Sequence, residues 1–359
     1  MDFAFTEEQL DLKAAARRYL NDRYPLSRIA ELADGAGPDT SRWSELDRLG
    51  WLDPDLGLVE LALLAEESGR VLHPVPWWST IGLALPVYRY AAARLPGPAT
   101  LADGRHTCRA RPDGDAWRLD GRVTGVVDAG TAMELVVAAR TGAGLALFGV
   151  DPNLPGTLAP ARPGIDPLRP SADLELAQAS ARLLAGSPAA EDLLTAAGHR
   201  ARVLLAAEAV GVADRALELA VEYAKTRAQF GRPIGAYQAV AHQLADCYAE
   251  LELARSLAYR AAGVLSDEPR DGLRSGEPRD GSEALACAAH ATARAAIRVC
   301  ETAIQVCGAI GVTWEHPLHR WYRRALWLQP FHTGQSDPLA TIADRLLGSD
   351  GTATVAGRW

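Results

Sequence analysis

From Ala196 to Arg227 the chain runs for 32 residues without a proline, and the only glycines in that stretch are Gly198 and Gly211. At 1.5 Å per residue such a span makes a helix ~48 Å long. A rod of that length holds together when neighbours of similar length bury its apolar sides. The sequence supplies them. Gly231 and Pro233 end the first rod, a second helix is predicted from about Tyr237 to Leu265, and a third from about Ser282 to Val306. Long helices joined by short breaks pack as an antiparallel bundle.

Two other textures precede the bundle. Residues 1–95 read as short helices: Thr6, then Glu7-Glu8, then Leu10, Leu12 and Ala15, is a cap, an acidic first turn and an apolar stripe. The pattern returns from Leu56 to Leu72, ahead of Pro74 and Pro76. From 96 to 188 glycine, proline and aspartate recur every few residues. Trp117 to Gly121 alternates and is expected to end in a turn, while Met133–Ala139 and Gly144–Val150 are apolar runs of strand length. The fold class expected is therefore α+β: an N-terminal helical domain (1–95), a small, shortened middle β domain (96–188), a C-terminal helical bundle (189–348) and a tail (349–359). Within the bundle, Asp267-Glu268-Pro269-Arg270-Asp271-Gly272 is nearly repeated as Gly276-Glu277-Pro278-Arg279-Asp280-Gly281, a duplicated polar linker and not a repeat architecture.

Composition excludes several functions. With 37 basic against 45 acidic residues the chain carries a net charge of −8, which argues against a nucleic-acid binder, since that role needs a basic face. Five cysteines without a CxxC pair suggest neither a zinc site nor a disulfide framework, so no metal is expected and a reducing compartment fits best. The first residues lack a basic n-region, and no run of 18 uncharged apolar residues occurs, so neither a signal peptide nor a membrane span is expected. These features together point to a cytoplasmic protein.

Chemistry concentrates in two stretches. Arg227-Ala228-Gln229-Phe230-Gly231-Arg232-Pro233-Ile234-Gly235, followed by Gln238, is a helix end feeding a tight turn with two cations and an aromatic. Taken alone it is equally a capped helix terminus. Gln305-Val306-Cys307-Gly308-Ala309-Ile310-Gly311 closes the third helix with two glycines three apart. Such glycines let a ligand approach the backbone, or simply form a C-cap. His199 and His242 lack partners at metal spacing and read as ordinary helix residues.

Taken together and in this order, the two stretches resemble the acyl-CoA dehydrogenase family. The resemblance extends to Asp2-Phe3 with Thr6-Glu7-Glu8-Gln9, to Glu66-Glu67-Ser68-Gly69, and to Tyr322-Arg323-Arg324-Ala325. It implies a helical domain, a β domain and a four-helix bundle, with FAD held between two subunits. By that resemblance Arg227 meets the FAD diphosphate of a neighbouring subunit, Phe230 packs near the flavin with Gln229 beside it, Gln238 lies near the adenine, and Gln305 with the Gly308–Gly311 turn holds the diphosphate and adenosine end. A planar guanidinium on a diphosphate is the expected match.

The resemblance also marks what this chain lacks. Family members hold the flavin ring with a hydroxyl-bearing loop and a Trp-Ile-Thr-like strand; here Ala99-Thr100-Leu101-Ala102-Asp103-Gly104 has no such loop, and Val123-Thr124-Gly125-Val126-Val127-Asp128 takes the strand's place. The family removes an α-proton of an acyl thioester with a glutamate, a role that requires a base within hydrogen-bond reach. The usual position falls on His332 and the alternative on Ala201, neither acidic, with Glu208 seven residues further on. A kept donor half-site beside a lost base implies the non-catalytic subunit of a heteromeric enzyme of α2β2 type. Its homologous partner would carry the glutamate, the flavin-ring loop and the acyl pocket. Two alternatives stand beside it: a homomeric FAD enzyme using His332 or a substrate-borne group, and a scaffold that kept only the fold. The acyl group (steroid, branched or carrier-bound) stays open, as does the electron acceptor, whether an electron-transfer flavoprotein or oxygen.

Overall fold

The computed structural model describes residues 4–162, 164–266, 279–333 and 337–347. The duplicated linker falls almost wholly outside the described residues, as does the tail from residue 348.

The N-terminal part comprises α1 (Glu7–Arg23), α2 (Leu26–Glu31), α3 (Trp43–Arg48), α4 (Leu58–Arg70), α5 (Trp77–Ser79) and α6 (Leu85–Tyr90). The expected cap of α1 is a reciprocal box. The Gln9 N–H donates to the Thr6 hydroxyl at 3.2 Å, and the Thr6 N–H donates to the Gln9 side chain at 3.0 Å.

The middle part holds β1 (Ala99–Asp103), β2 (Cys108–Asp113), β3 (Ala116–Val127), β4 (Glu134–Thr141), β5 (Gly144–Val150), β6 (Thr157–Leu158), β7 (Ala161–Arg162) and β8 (Ser171–Ala185). Strands β2, β3, β8, β5 and β4 pair in that order, and β4 meets β2 at Arg109↔Arg140, so the sheet curls into a small barrel with β1 parallel to β4 outside it. The turn expected at Gly121 is absent. Strand β3 continues through it, and the register with β8 slips there, the mark of a bulge that bends the strand around the barrel. The barrel is filled by Leu119, Leu135, Val137, Phe148, Val150 and Leu174.

The bundle consists of α7 (Ala189–Thr226), the small hairpin β9 (Ala228–Gln229) and β10 (Arg232–Pro233), α8 (Gln238–Ser266), α9 (Arg279–Cys307), α10 (Leu318–Thr333) and α11 (Pro338–Leu347). Helix α7 begins seven residues earlier than its proline-free stretch suggests, and its 38 residues make a rod ~57 Å long. It is apolar around most of its circumference because α4, α8, α9 and α10 all pack on it. The segment Gly281–Val312 is long and apolar enough to cross a membrane by composition. Its apolar side instead packs on α7, α8 and α10, and its Arg294 and Arg298 pair with Glu250 at 3.6 and 3.0 Å.

Two glycines set the approach of α4 to α7. A Cβ at Gly211 would lie 1.8 Å from the Glu66 carbonyl oxygen, and one at Gly69 would lie 2.1 Å from that of Glu208. The backbones therefore touch where they cross. Around this contact Glu66 and Glu67 are buried. Lys13 reaches Glu66 at 2.9 Å, Arg255 reaches it at 3.2 Å, and Tyr259 donates to it; Arg17 forks onto Glu67 with two bonds of 2.8 Å. Burial raises the Glu66 carboxyl, but Lys13 and Arg255 outweigh that and hold it below its ordinary value.

Candidate active site and the exposed hairpin

The hairpin after α7 is built by local rules. Arg227 leaves the helix in an extended conformation, its N–H still bonded to the Tyr223 carbonyl. Gln229 pairs with Arg232, leaving Phe230 and Gly231 as a two-residue loop, with φ of 52° and 83° respectively. Two positive φ values in succession are what a two-residue hairpin turn needs, and glycine meets that demand freely. A phenylalanine does not. Its strained backbone holds a large ring that is 95% exposed at the tip. The tip is also braced: the Tyr237 hydroxyl donates to the Gln229 carbonyl at 3.0 Å, Arg232 lies 4.0 Å from the centre of the Tyr237 ring, and the Ile234 N–H bonds to the Arg227 carbonyl at 2.8 Å.

Arg227, Gln229, Phe230 and Gln238 thus share one exposed tip where α7 passes into α8. Gln305 is exposed near the end of α9. Gly308 has φ +67° and caps that helix, whereas Gly311 is a packing residue, since a Cβ there would lie 2.7 Å from the Ile304 carbonyl oxygen. The glycine pair is accounted for by the backbone itself, so its share in ligand binding has no support of its own in the structure.

A second site lies at the other end of α7. A cavity of about 620 Å³ opens between the first turns of α7, strand β1 and the end of α10. Its apolar wall includes Trp78, Leu83, Leu101, Leu194 and Leu205. Its polar groups are Asp103, Arg105, Thr195, His199 and Arg202. Both expected base positions belong to this region. Ala201 lines the cavity, its carbonyl accepting from the Trp78 indole at 3.0 Å, and Pro330 lines it two residues before His332. The backbone of His332 lies in α10, but its side chain falls outside the described residues. The resemblance gives the acyl pocket to the partner subunit; this chain also has a cavity of its own where α7, β1 and α10 converge.

The cavity is backed by a buried ion cluster. Arg324, fully buried, pairs with Asp166 and Glu208, and Arg169 reaches Glu208 at 3.0 Å. Ser79 donates to the buried Asp128 at 2.6 Å, and burial pushes that carboxyl up. Arg169 also sits 5.9 Å from the Trp327 ring, which meets the cavity-lining Trp78 edge to face at 6.0 Å. The cluster joins all three parts of the chain. Glu208 is therefore an internal counter-ion and not a free base. Its signal in the sequence is a single glutamate in an otherwise apolar run, Leu204 to Ala213. Arg324 gives no such sign, because a doubled arginine ordinarily faces water.

The tip residues fit the diphosphate and ring of FAD: an exposed guanidinium, an exposed aromatic and amide side chains. The residues at β1 do not fit a flavin ring, because only Gly104 to Thr107 link β1 to β2 and no loop remains to cover it. The two sites are also far apart. From Arg202 to Arg227 the rod advances ~38 Å, so a ligand gripped by Arg227 is not a ligand of this chain's own cavity.

Comparison with known proteins agrees with this architecture. Residues 192–347 match the family model for the acyl-CoA dehydrogenase C-terminal domain. The acyl-CoA dehydrogenase IpdE2 of Mycobacterium tuberculosis is 30% identical over 329 residues, covering 89% of this chain and 91% of that protein. Among solved structures, the ChsE4-ChsE5 complex from Mycobacterium tuberculosis aligns with a TM-score of 0.82 at 27% identity, over 97% of this chain and 100% of the other. The Tcur3481-Tcur3483 steroid ACAD aligns with a TM-score of 0.78 at 30% identity, over 97% and 99%. With three parts in the expected order and a relative matched over nine-tenths of its length, the chain belongs to the acyl-CoA dehydrogenase family, whose cofactor is FAD.

Proposed function

We propose that this chain is the donor subunit of a heteromeric acyl-CoA dehydrogenase, lending the hairpin tip to an FAD site completed by a homologous catalytic partner. The observation that carries the reading is Phe230, held in a strained backbone and almost fully exposed beyond the end of α7 opposite the chain's own cavity. A large ring in that state is covered when a second subunit meets it. In the complex Arg227 would hold the diphosphate, Phe230 and Gln229 the flavin end, Gln238 the adenine, and Gln305 with the Gly308 turn the adenosine end. Bound there, FAD would supply the acceptor for a hydride from the β-carbon of an acyl thioester, and the partner would supply the carboxylate that takes the α-proton. The solved relatives described as the ChsE4-ChsE5 complex and as a steroid ACAD support a two-chain assembly acting on a steroid-derived acyl-CoA.

The test is flavin content. The chain purified alone is expected to be colourless, and co-purification with its homologous partner is expected to give a yellow complex with fewer flavins than subunits. Stoichiometric FAD on the lone chain, bleached by an acyl-CoA, would instead establish the homomeric enzyme, the reading that the chain's own cavity favours.

A further inference from the structure

The cavity at the head of α7 has a charge imbalance. Among the described residues that line it, Asp103 is engaged by Arg105, whose Nε lies 2.9 Å from one carboxylate oxygen and whose Nη2 lies 2.9 Å from the other. That leaves the guanidinium of Arg202. It is half-buried and lines the cavity, and its Nε is buried with no hydrogen-bond partner among the described residues. Burial lowers its pKa, and it makes no ion pair among the described residues. Two residues earlier, Arg200 also has no ion pair among the described residues and is lowered to about 10 by burial and by Arg89. A guanidinium facing an apolar chamber without a counter-ion is costly to the fold, and such cost persists where a ligand relieves it. The chamber's 620 Å³ suits a compact ring-sized body, and Trp78, Leu101, Leu194 and Leu205 give it an apolar wall.

We infer that the cavity of this chain is a binding site in its own right for an apolar, ring-sized molecule bearing a carboxylate, with Arg202 as the residue that recognises the carboxylate. Ala201 stands at one base position, and the ligand's carboxylate is held by the Arg202 cation. This assignment is independent of the hairpin's role, because the two sites lie at opposite ends of α7.

The experiment is calorimetric titration of the isolated full chain with 2-naphthoate and with its neutral counterpart 2-naphthamide. A charge-assisted, two-pronged contact gives the carboxylate an advantage of about tenfold or more. Arg202→Met should abolish that advantage while leaving naphthamide binding within about twofold of the unmodified chain. Arg202→Lys, which keeps the charge but loses the fork, should retain only part of it. Circular dichroism checks the fold of both variants, and the preference of the unmodified chain stands as a test if either fails to fold. Equal binding of the two probes, no binding of either, or a carboxylate preference that survives Arg202→Met would overturn the assignment. Displacement of naphthoate by coenzyme A itself would also overturn it, since the anion recognised would then be a phosphate. Flavin on the lone chain would sink the donor-subunit reading but leave the naphthoate preference untouched, so the two failures are distinguishable.

Discussion

Replacing Gly211 by alanine puts a methyl group 1.8 Å from the carbonyl oxygen of Glu66 and 2.8 Å from its carbonyl carbon, where ordinary contact begins at 3.4 Å. The helices must part by about 1.6 Å, the gap between 1.8 and 3.4 Å, and the obstacle is backbone with no side chain to swing aside. Overpacking of this kind costs about 1–3 kcal/mol, and the depth of the clash argues for the upper end. Alanine returns about 1 kcal/mol through helix propensity, so the net loss is about 2 kcal/mol. Gly198 in the same helix supplies the control: nothing lies within 4 Å of its added Cβ, so Gly198→Ala should gain about 1 kcal/mol. The two variants then differ by about 3 kcal/mol with propensity cancelled. Urea unfolding followed by far-ultraviolet circular dichroism reads this as a lower midpoint for Gly211→Ala and a higher one for Gly198→Ala. A Gly69→Ala change clashes at the same crossing, and the double variant should cost less than the sum, since helices already parted accept the second methyl. A Gly211→Ala protein that unfolds at or above the midpoint of the unmodified chain would refute the close-crossing argument.

Three further outcomes follow from the buried and exposed charges. Arg324→Leu leaves Asp166 without its cation and Glu208 with Arg169 alone, and should cost about 3–5 kcal/mol, read as a lower thermal midpoint; adding Glu208→Leu should recover part of it. His73 is buried among Tyr24, Trp51 and Ser68, and burial, with Arg169 and Arg324 nearby, holds its pKa well below the ordinary value. The unfolded chain therefore takes up a proton below about pH 6.5 that the folded chain refuses, so stability should fall by up to ~1.4 kcal/mol per pH unit from there downward. His73→Phe should flatten that slope in denaturation midpoints measured at pH 7 and pH 5.5. Arg227→Glu, at an exposed position, should leave the melting of the lone chain unchanged and strip FAD from the complex, seen as loss of the yellow band; undiminished flavin would favour a scaffold.

Periodicity and breakers made most of the architecture legible in the sequence. The long helices were recovered because a proline-free apolar run has one stable use, and the Thr6 box because its spacing is the interaction. Gly121 misled because the same residue serves turns and bulges, and only the partner strand decides between them. The hairpin tip was visible as a motif, yet the strain at Phe230 was not, since no side chain announces its own φ. The cavity and its unpaired Arg202 were invisible for a different reason. They exist only where Trp78, Leu101, Leu194 and Pro330 meet, positions up to about 250 residues apart with no shared pattern along the chain.

The 38-residue span of α7 has an evolutionary consequence. It places what a subunit gives to its neighbour and what it keeps for itself on opposite ends of one strut, with rigid packing between. Inheritance can then erode one end without disturbing the other, and a duplicated gene pair can each lose a different half while the assembly keeps one working copy of both.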